Sequence, residues 1–382
     1  MKFRVSLVAA LLAVVSAGSV DAQNSVFGTR GLGFPTHRES ARTVAMGGGP
    51  AMFDQSAFVN PAAVSLVAQS TVAAFTGATF RGYQAGGVDV SGLQETRLPL
   101  VALSGRVTAL PIAYQVGFAS YLERTFAVTI DDTTLIDGNL VAVRDSFASV
   151  GGIADLRGTA AWTVLPQLRF GLSLHRMAGS SRLTARREFD DESLRRFSQE
   201  TVLSFAGNGI STGMIWFPTQ SFGLALTGRA NGNLTATLSG GSQRVTPMPN
   251  MFGAGLLWRV ARTLEWSASA QYRSWGRTQR DLGLPDTESF DTWEVGTGFE
   301  LRRAGNVGPR VPIRVGLRYA QLPFSPTTEQ PTETNLSFGT GWRVAGGLAA
   351  IDIAVEKLAR RGAGVTEDGW YVAVGMTVTP SR

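Results

Sequence analysis

The sequence predicts an all-β fold, a transmembrane antiparallel β-barrel of about 14 strands with an N-terminal plug inside the lumen. Three observations predict it. Short turns alternate with longer connections to the end of the chain. Runs of alternating apolar and polar residues flank each turn. After the N-terminus, no stretch approaches the ~20 apolar residues that a membrane helix requires. Lipid leaves only helices or closed barrels with every backbone group satisfied, so a membrane chain without such helices must close on itself.

The chain begins with a secretory pattern over residues 1–22. Lys2 and Arg4 form a charged start, Leu7 to Val15 an apolar core, and Val20-Asp21-Ala22 a small-x-small cleavage site. That core is too short to span a bilayer. Cleavage leaves Gln23 as the first mature residue.

Composition narrows the classes further. There is no cysteine, which excludes disulfides and thiolate metal sites. The net charge of +6 is carried almost wholly by arginine, since Lys2 and Lys357 are the only lysines. Loss of the signal leaves about +5. The arginines are scattered rather than gathered into a stripe, so nucleic-acid binding is not expected. They suit lipopolysaccharide phosphates or a polar lumen. Only 17% of residues are charged and 45 are glycine, which favours a lipid-facing exterior over a soluble surface.

The tight breaks fall at Ala109–Pro111, Leu165–Gln167, Pro218–Gln220, Ala261–Thr263 and Ala345–Gly347, with a looser one at Arg303–Pro312. The clearest strand is Thr263–Arg273. Leu264, Trp266, Ala268, Ala270 and Tyr272 share one face, and Glu265, Ser267, Ser269, Gln271 and Arg273 the other. Trp293–Arg302, Ile313–Tyr319, Ile351–Glu356 and Leu168–His175 alternate in the same way. A first strand over 70–80 precedes six hairpins at 97–122, 155–177, 205–230, 250–274, 291–320 and 335–356, and a last strand covers 369–379. The even count puts both termini on the periplasmic side. Seven longer connections then lie outside, near 81–96, 123–154, 178–204, 231–249, 275–290, 321–334 and 357–368.

The domain division is a signal peptide at 1–22, a plug at 23–69 and the barrel at 70–382. Residues 23–69 lack sustained alternation but carry Phe27, Phe34, Met46, Met52, Phe53 and Phe58. That apolar content favours a packed plug over a flexible tail. A short helix is expected over Glu39–Met46, ended by Gly47-Gly48-Gly49. Asn60, Pro61 and Ala62 form the motif to which a plug or gating role is assigned. Pro fixes the chain, and the Asn amide turns the backbone locally.

Glu265, Arg273, Glu294, Glu300, Arg302, Arg314, Arg318, Asp352 and Glu356 fall on the inward parity. They are expected to pair across a wet lumen, with binding of a carboxylate head group as the alternative. No enzyme chemistry is expected. His37 and His175 are the only histidines, and His175 is placed near an outer strand end beside solvated serines. No metal site or cofactor is expected either. Asp131-Asp132 and Asp190-Asp191-Glu192 lack calcium-loop spacing. Gly47-Gly48-Gly49 is not a phosphate loop.

Three stretches resemble the FadL family of outer-membrane transporters for hydrophobic compounds. One is Ser40–Gly48 with Asp54, Ala57 and Asn60-Pro61-Ala62, similar to the family's plug signature. Another is Pro249–Gly253 with Trp258, Leu264 and Gln271–Trp275, similar to a strand start and an aromatic-x-x-Trp strand end. The third is Asp291–Trp293 with Gly296, Gly298, Arg314–Tyr319 and Pro323. The resemblance runs over nearly all of the mature chain.

It implies a monomeric barrel in the bacterial outer membrane for passive uptake of fatty acids or aromatic hydrocarbons, with no cofactor. Substrate would pass an external groove and an inner pocket, then leave through a plug shift and a gap in the wall. Partners would be that hydrophobic ligand, outer-membrane lipid and lipopolysaccharide, and the barrel-assembly machinery. The related alternative is a PorV-type barrel that scaffolds or shuttles secreted proteins. A third hypothesis, a barrel hydrolase, requires a His-Ser pair on the outside, with His175 as its histidine. Two features depart from the family. The third outside loop, Arg182–Glu192, is mostly charged where family members place apolar capture helices, and the fourth, Asn231–Thr246, is polar. The chain also ends Val378-Thr379-Pro380-Ser381-Arg382 rather than on an aromatic.

Overall fold

A computed structural model describes residues 25–36, 40–136, 138–190, 194–278, 287–302 and 311–379. The expected signal peptide, His37, Glu39, Asp191 and Glu192 lie outside the described residues.

Fourteen strands close into one barrel. They are β1 Thr71–Ala85, β2 Val88–Arg106, β3 Ile112–Glu123, β4 Asn139–Leu165, β5 Leu168–Phe189, β6 Phe197–Trp216 and β7 Phe222–Asn231. Then follow β8 Met251–Arg259, β9 Leu264–Arg273, β10 Thr292–Arg302, β11 Pro312–Gln321, β12 Thr332–Val344, β13 Ala349–Gly362 and β14 Val365–Val378. Each pairs antiparallel with its neighbour, and β14 returns to β1 with Val72 opposite Val378 and Ala85 opposite Val365. The expected count and all the tight turns match this ladder. At the β12–β13 turn Ala345 and Gly346 take positive φ, the left-handed geometry that a tight reversal uses.

The outside connections differ from expectation. β1 passes into β2 through Gly86-Gly87, and β13 into β14 through Ala363-Gly364. β4 runs for 27 residues and β5 for 22, so most of 178–189 is strand, and Phe126–Ile136 forms a ribbon against β4. The reason is physical. About 9–11 residues span the bilayer. Beyond it both faces are wet, so alternation fades while ladder hydrogen bonds continue.

The exterior is apolar. Phe299, Ile313, Leu317, Leu336 and Phe338 are exposed, while the intervening Glu300, Arg314, Arg318 and Ser337 are buried inside. Trp162, Trp216 and Trp258 mark one rim beside the short turns. Trp293, Tyr319 and Trp370 mark the other, with Trp293 packed on Tyr272 at 5.3 Å. An apolar belt between two aromatic girdles on a closed barrel is the architecture of a bacterial outer-membrane protein. Leu317→Arg, in this belt, is expected to cost about 2–4 kcal/mol. Denaturant unfolding of the lipid-reconstituted barrel reads it, and an unchanged midpoint would argue against lipid contact at this face.

Residues 40–67 fold against the inner wall. Ser40 caps a helix at Ala41–Ala45, and its Oγ and that of Thr43 both donate to Asp54 Oδ2, at 2.6 and 2.9 Å. The helix starts two residues later than expected and stops at Met46 ahead of the three glycines. Ala45, Met46, Met52, Ala62 and Val64 are fully buried.

Candidate functional site

Glycine builds the seat for this inner segment. A Cβ at Gly298 or Gly316 would run into the Met46 backbone, and one at Gly296 into Gly47. These inward positions of β10 and β11 form a flat trough because they carry no side chain. Gly171 on β5 and Gly213 on β6 receive Pro61 and Asn60 in the same way.

Asn60 is the N-cap of the turn Pro61–Leu66, with Pro at its first position. Its Oδ1 accepts from the Ala62 N–H at 3.0 Å, and its Nδ2 donates to Met52 O at 3.1 Å and Met214 O at 3.4 Å. One side chain thus ties two parts of the segment to β6. Asn60 is 1% exposed and Ala62 is fully buried.

The charged wall divides into two layers. In the lower layer Glu300 accepts from Arg42 Nε at 3.0 Å, Arg314 Nε at 2.7 Å and Arg302 at 2.6 Å. Arg42 also reaches Glu265 at 2.7 Å, and Arg314 reaches Asp352 at 2.5 Å. Burial lowers the Arg42 pKa, but Glu300, Glu265 and Asp54 outweigh it and hold it above its ordinary value. Arg42 is therefore the cationic bolt between the segment and the barrel. Arg302, half exposed, sits at the rim of this layer.

The upper layer places one charge on each of eight consecutive strands, with alternating sign. Arg273 on β9 meets Glu294 on β10 at 3.2 Å, and Glu294 meets Arg318 on β11 at 3.3 Å. Arg318 pairs with Glu333 on β12, which meets Arg360 on β13 at 2.5 Å. Arg360 pairs with Glu367 on β14. Arg81 on β1 lies 3.7 Å from Glu367 and 3.4 Å from Glu95 on β2. Each ion is desolvated and flanked by opposite charge, which is the condition under which buried pairs persist.

The expected inward set thus comes together, with Glu356 buried and accepting from Ser337 Oγ at 3.2 Å. Arg81, Glu95, Glu333, Arg360 and Glu367 were missed because their segments read as outside connections. Arg81, Glu333, Arg360 and Glu367 continue the inward parity of a recognised strand, which was the available signal, whereas Glu95 lies beyond a register shift.

The opposite wall carries Asp155 on β4, His175 on β5, Ser211 on β6 and Arg229 on β7. His175 is 4% exposed, not on a solvated strand end as expected. Its Nδ1 lies 2.9 Å from Asp155 Oδ2 and its Nε2 2.8 Å from Ser211 Oγ. Arg229 Nη1 donates to Asp155 at 2.7 Å.

Both walls line one internal cavity of about 50 Å³, closed from beneath by Val44, Gly48 and Phe58. It has room for a few waters and falls far short of the roughly 300–1,000 Å³ of drug-sized ligand pockets. An open space of about 630 Å³ lies at the periplasmic mouth, bounded by Leu66, Phe217, Arg169 and Arg259. A third environment is apolar. Val44, Ala45, Phe58, Phe75, Leu100 and Tyr371 cluster inside β1, β2 and β14. Leu100 opposite Ala119 is also where the β2–β3 ladder stops, although β2 continues outward to Val88. No group of acidic and histidine side chains that could hold a metal ion occurs among the described residues.

No protein-family model matches the chain, and no curated protein matches it. Solved structures do. A Pseudomonas aeruginosa FadL homologue superposes with a TM-score of 0.64 at 13% identity, covering 92% of this chain and 100% of its own. The P. putida toluene transporter TodX gives 0.60 at 13% identity, covering 90% and 99%. The CymD monoaromatic hydrocarbon channel gives 0.58 at 16% identity, covering 92% and 98%. The chain has the fold of these FadL-like outer-membrane channels.

Proposed function

We propose that this barrel is a channel for passive uptake of hydrophobic small molecules, fatty acids or aromatic hydrocarbons, with residues 23–69 as its plug. The observation that carries the reading is the segment 40–67, seated on inward glycines and closing a cavity too small for a fatty acid or an aromatic hydrocarbon. A wall built to be filled by its own chain serves a gated path rather than an open pore. Asn60, Pro61 and Ala62 act as the rigid corner about which the plug shifts. Glu265, Glu300, Arg302 and Arg314 hold the Arg42 end, and Arg273, Glu294 and Arg318 stiffen the chamber above.

The apolar cluster beside the end of the β2–β3 ladder supports a sideways exit to lipid, because an apolar solute leaves most readily where no polar layer intervenes. The similar channels, two named for monoaromatic hydrocarbon or toluene transport, support the substrate class. On this reading the protein works as a monomer among outer-membrane lipid and lipopolysaccharide, after insertion by the barrel-assembly machinery. Deleting the gene is expected to slow uptake of a radiolabelled fatty acid or of toluene several-fold. Unchanged uptake of both would remove the proposal.

The ribbon Phe126–Ile136 with β4 favours a second reading, a PorV-type scaffold for secreted proteins. It extends the sheet past the barrel and carries paired charges such as Arg144–Asp131 at 2.7 Å. Recovery of a stoichiometric secreted partner on the purified barrel, together with unchanged uptake, would select it.

A further inference from the structure

We infer that Ser211 is an activated nucleophile and that the lumen carries an acyl-transfer site for small esters, an activity beyond the uptake proposed above. Four observations converge on it. The first is the base. His175 Nε2 lies 2.8 Å from Ser211 Oγ, within reach to take its proton. The second is the orienting group. His175 Nδ1 lies 2.9 and 3.0 Å from the two Asp155 oxygens. An ionised carboxylate only accepts, so the Nδ1 side carries the proton and Nε2 is left as the acceptor for the serine hydroxyl. Arg229 Nη1, at 2.7 Å from Asp155, keeps that carboxylate charged in a buried setting.

The third observation is a buried donor without a hydrogen-bond partner, on a guanidinium that lies 4.9 Å over the Tyr121 ring. Arg229 spends Nε on Asn231 at 2.8 Å and Nη1 on Asp155, while its buried Nη2 has no hydrogen-bond partner among the described residues. A guanidinium N–H beside a nucleophile is suited to a developing oxyanion. The fourth is space. Ser211, His175, Asp155 and Arg229 all line the cavity of about 50 Å³. That volume suits an acetyl-sized acyl group and excludes a long chain.

The alternation of β4 to β7 explains how residues so far apart in sequence meet. All four sit on inward positions of adjacent strands. Arg157 is opposite His175 and Ser211 opposite Arg229 in the ladder, which brings the side chains into one diagonal row. Ser173, the neighbour of Ser211 on β5, is instead 2.7 Å from Thr159 Oγ1 and has no base.

The chemistry balances without a co-reactant other than water. Ser211 Oγ bonds to the ester carbonyl carbon as its proton passes to His175 Nε2, and the carbonyl oxygen takes the Arg229 Nη2 hydrogen bond. The ester C–O bond then breaks, and the leaving alkoxide carries away the proton from His175. Water, deprotonated by the same Nε2, then bonds to the acyl carbon; the C–Oγ bond breaks, the proton returns from Nε2 to Ser211 Oγ, and the carboxylic acid leaves.

The test is acylation of the full mature chain, folded in detergent, by p-nitrophenyl acetate. A burst of p-nitrophenol and one acetyl group on Ser211 by peptide mass spectrometry are the expected results. Ser211→Ala should abolish the adduct, and His175→Gln should slow its formation at least ~100-fold. Ser173→Ala should leave it unchanged. Gel mobility of the unheated barrel confirms that each variant is folded. Absence of the adduct, or equal acetylation in folded His175→Gln, overturns the inference and leaves a structural hydrogen-bonded row. Neither outcome bears on uptake.

Discussion

Removing residues 40–67 is expected to turn a silent barrel into one that conducts ions in planar bilayers. A fourteen-stranded wall is wide enough to enclose a lumen that side chains alone do not fill. Here the chain itself fills it. Met46 and Met52 have no exposed surface, and the backbone of Met46–Gly47 touches β10 and β11 directly. Without the segment those contacts become water, lined by Glu265, Glu300, Arg314 and Arg318. The remaining charges stay paired with one another, so the barrel itself should survive. Gly316→Leu tests the same idea in the full chain, because its side chain would occupy the place of Met46. Stepwise conductance in both variants and none in the parent is the expected result. Silence in both would mean that the outer loops, not the segment, close the path.

The barrel was legible in the sequence because lipid enforces alternation. Leu317 must face hydrocarbon and Arg318 must not, so period two survives wherever a strand crosses the membrane. The same logic hid the upper charged layer. Arg360 and Glu367 lie on strands that have left the strongest apolar pattern, and their segment read as a connection although both side chains are buried. The seating role of the barrel glycines was not legible. That Gly298 and Gly316 are the seat of Met46 depends on which strands become neighbours, which one-dimensional spacing does not encode. The same holds for Ser211. Nothing near it in sequence names a base. Its partner His175 lies 36 positions away and reaches it only after β5 and β6 align. Asn60-Pro61-Ala62 was the exception, since capping and proline stiffness act within three residues.

Glu300→Gln is expected to destabilise the protein by about 3–5 kcal/mol and to loosen the segment 40–67 at the same time. Glu300 is 2% exposed and is shared by Arg42, Arg302 and Arg314. Neutralising it leaves three guanidiniums facing one another, with Glu265 and Asp352 the nearest remaining anions. Because Arg314 belongs to the wall and Arg42 to the segment, repulsion is relieved most easily by withdrawal of the segment. Arg302, half exposed, can turn toward water and contributes least. The double variant Arg42→Gln/Glu300→Gln separates the two effects. It should recover part of the stability, since one buried charge leaves with its partner, but not the seating of the helix at Ala41–Ala45. Denaturant midpoints report the first effect, and protease cleavage within residues 40–67 reports the second. If the single variant keeps the parent midpoint and stays uncleaved, the lower charged layer does not hold the segment, and the glycine trough on β10 and β11 is sufficient by itself.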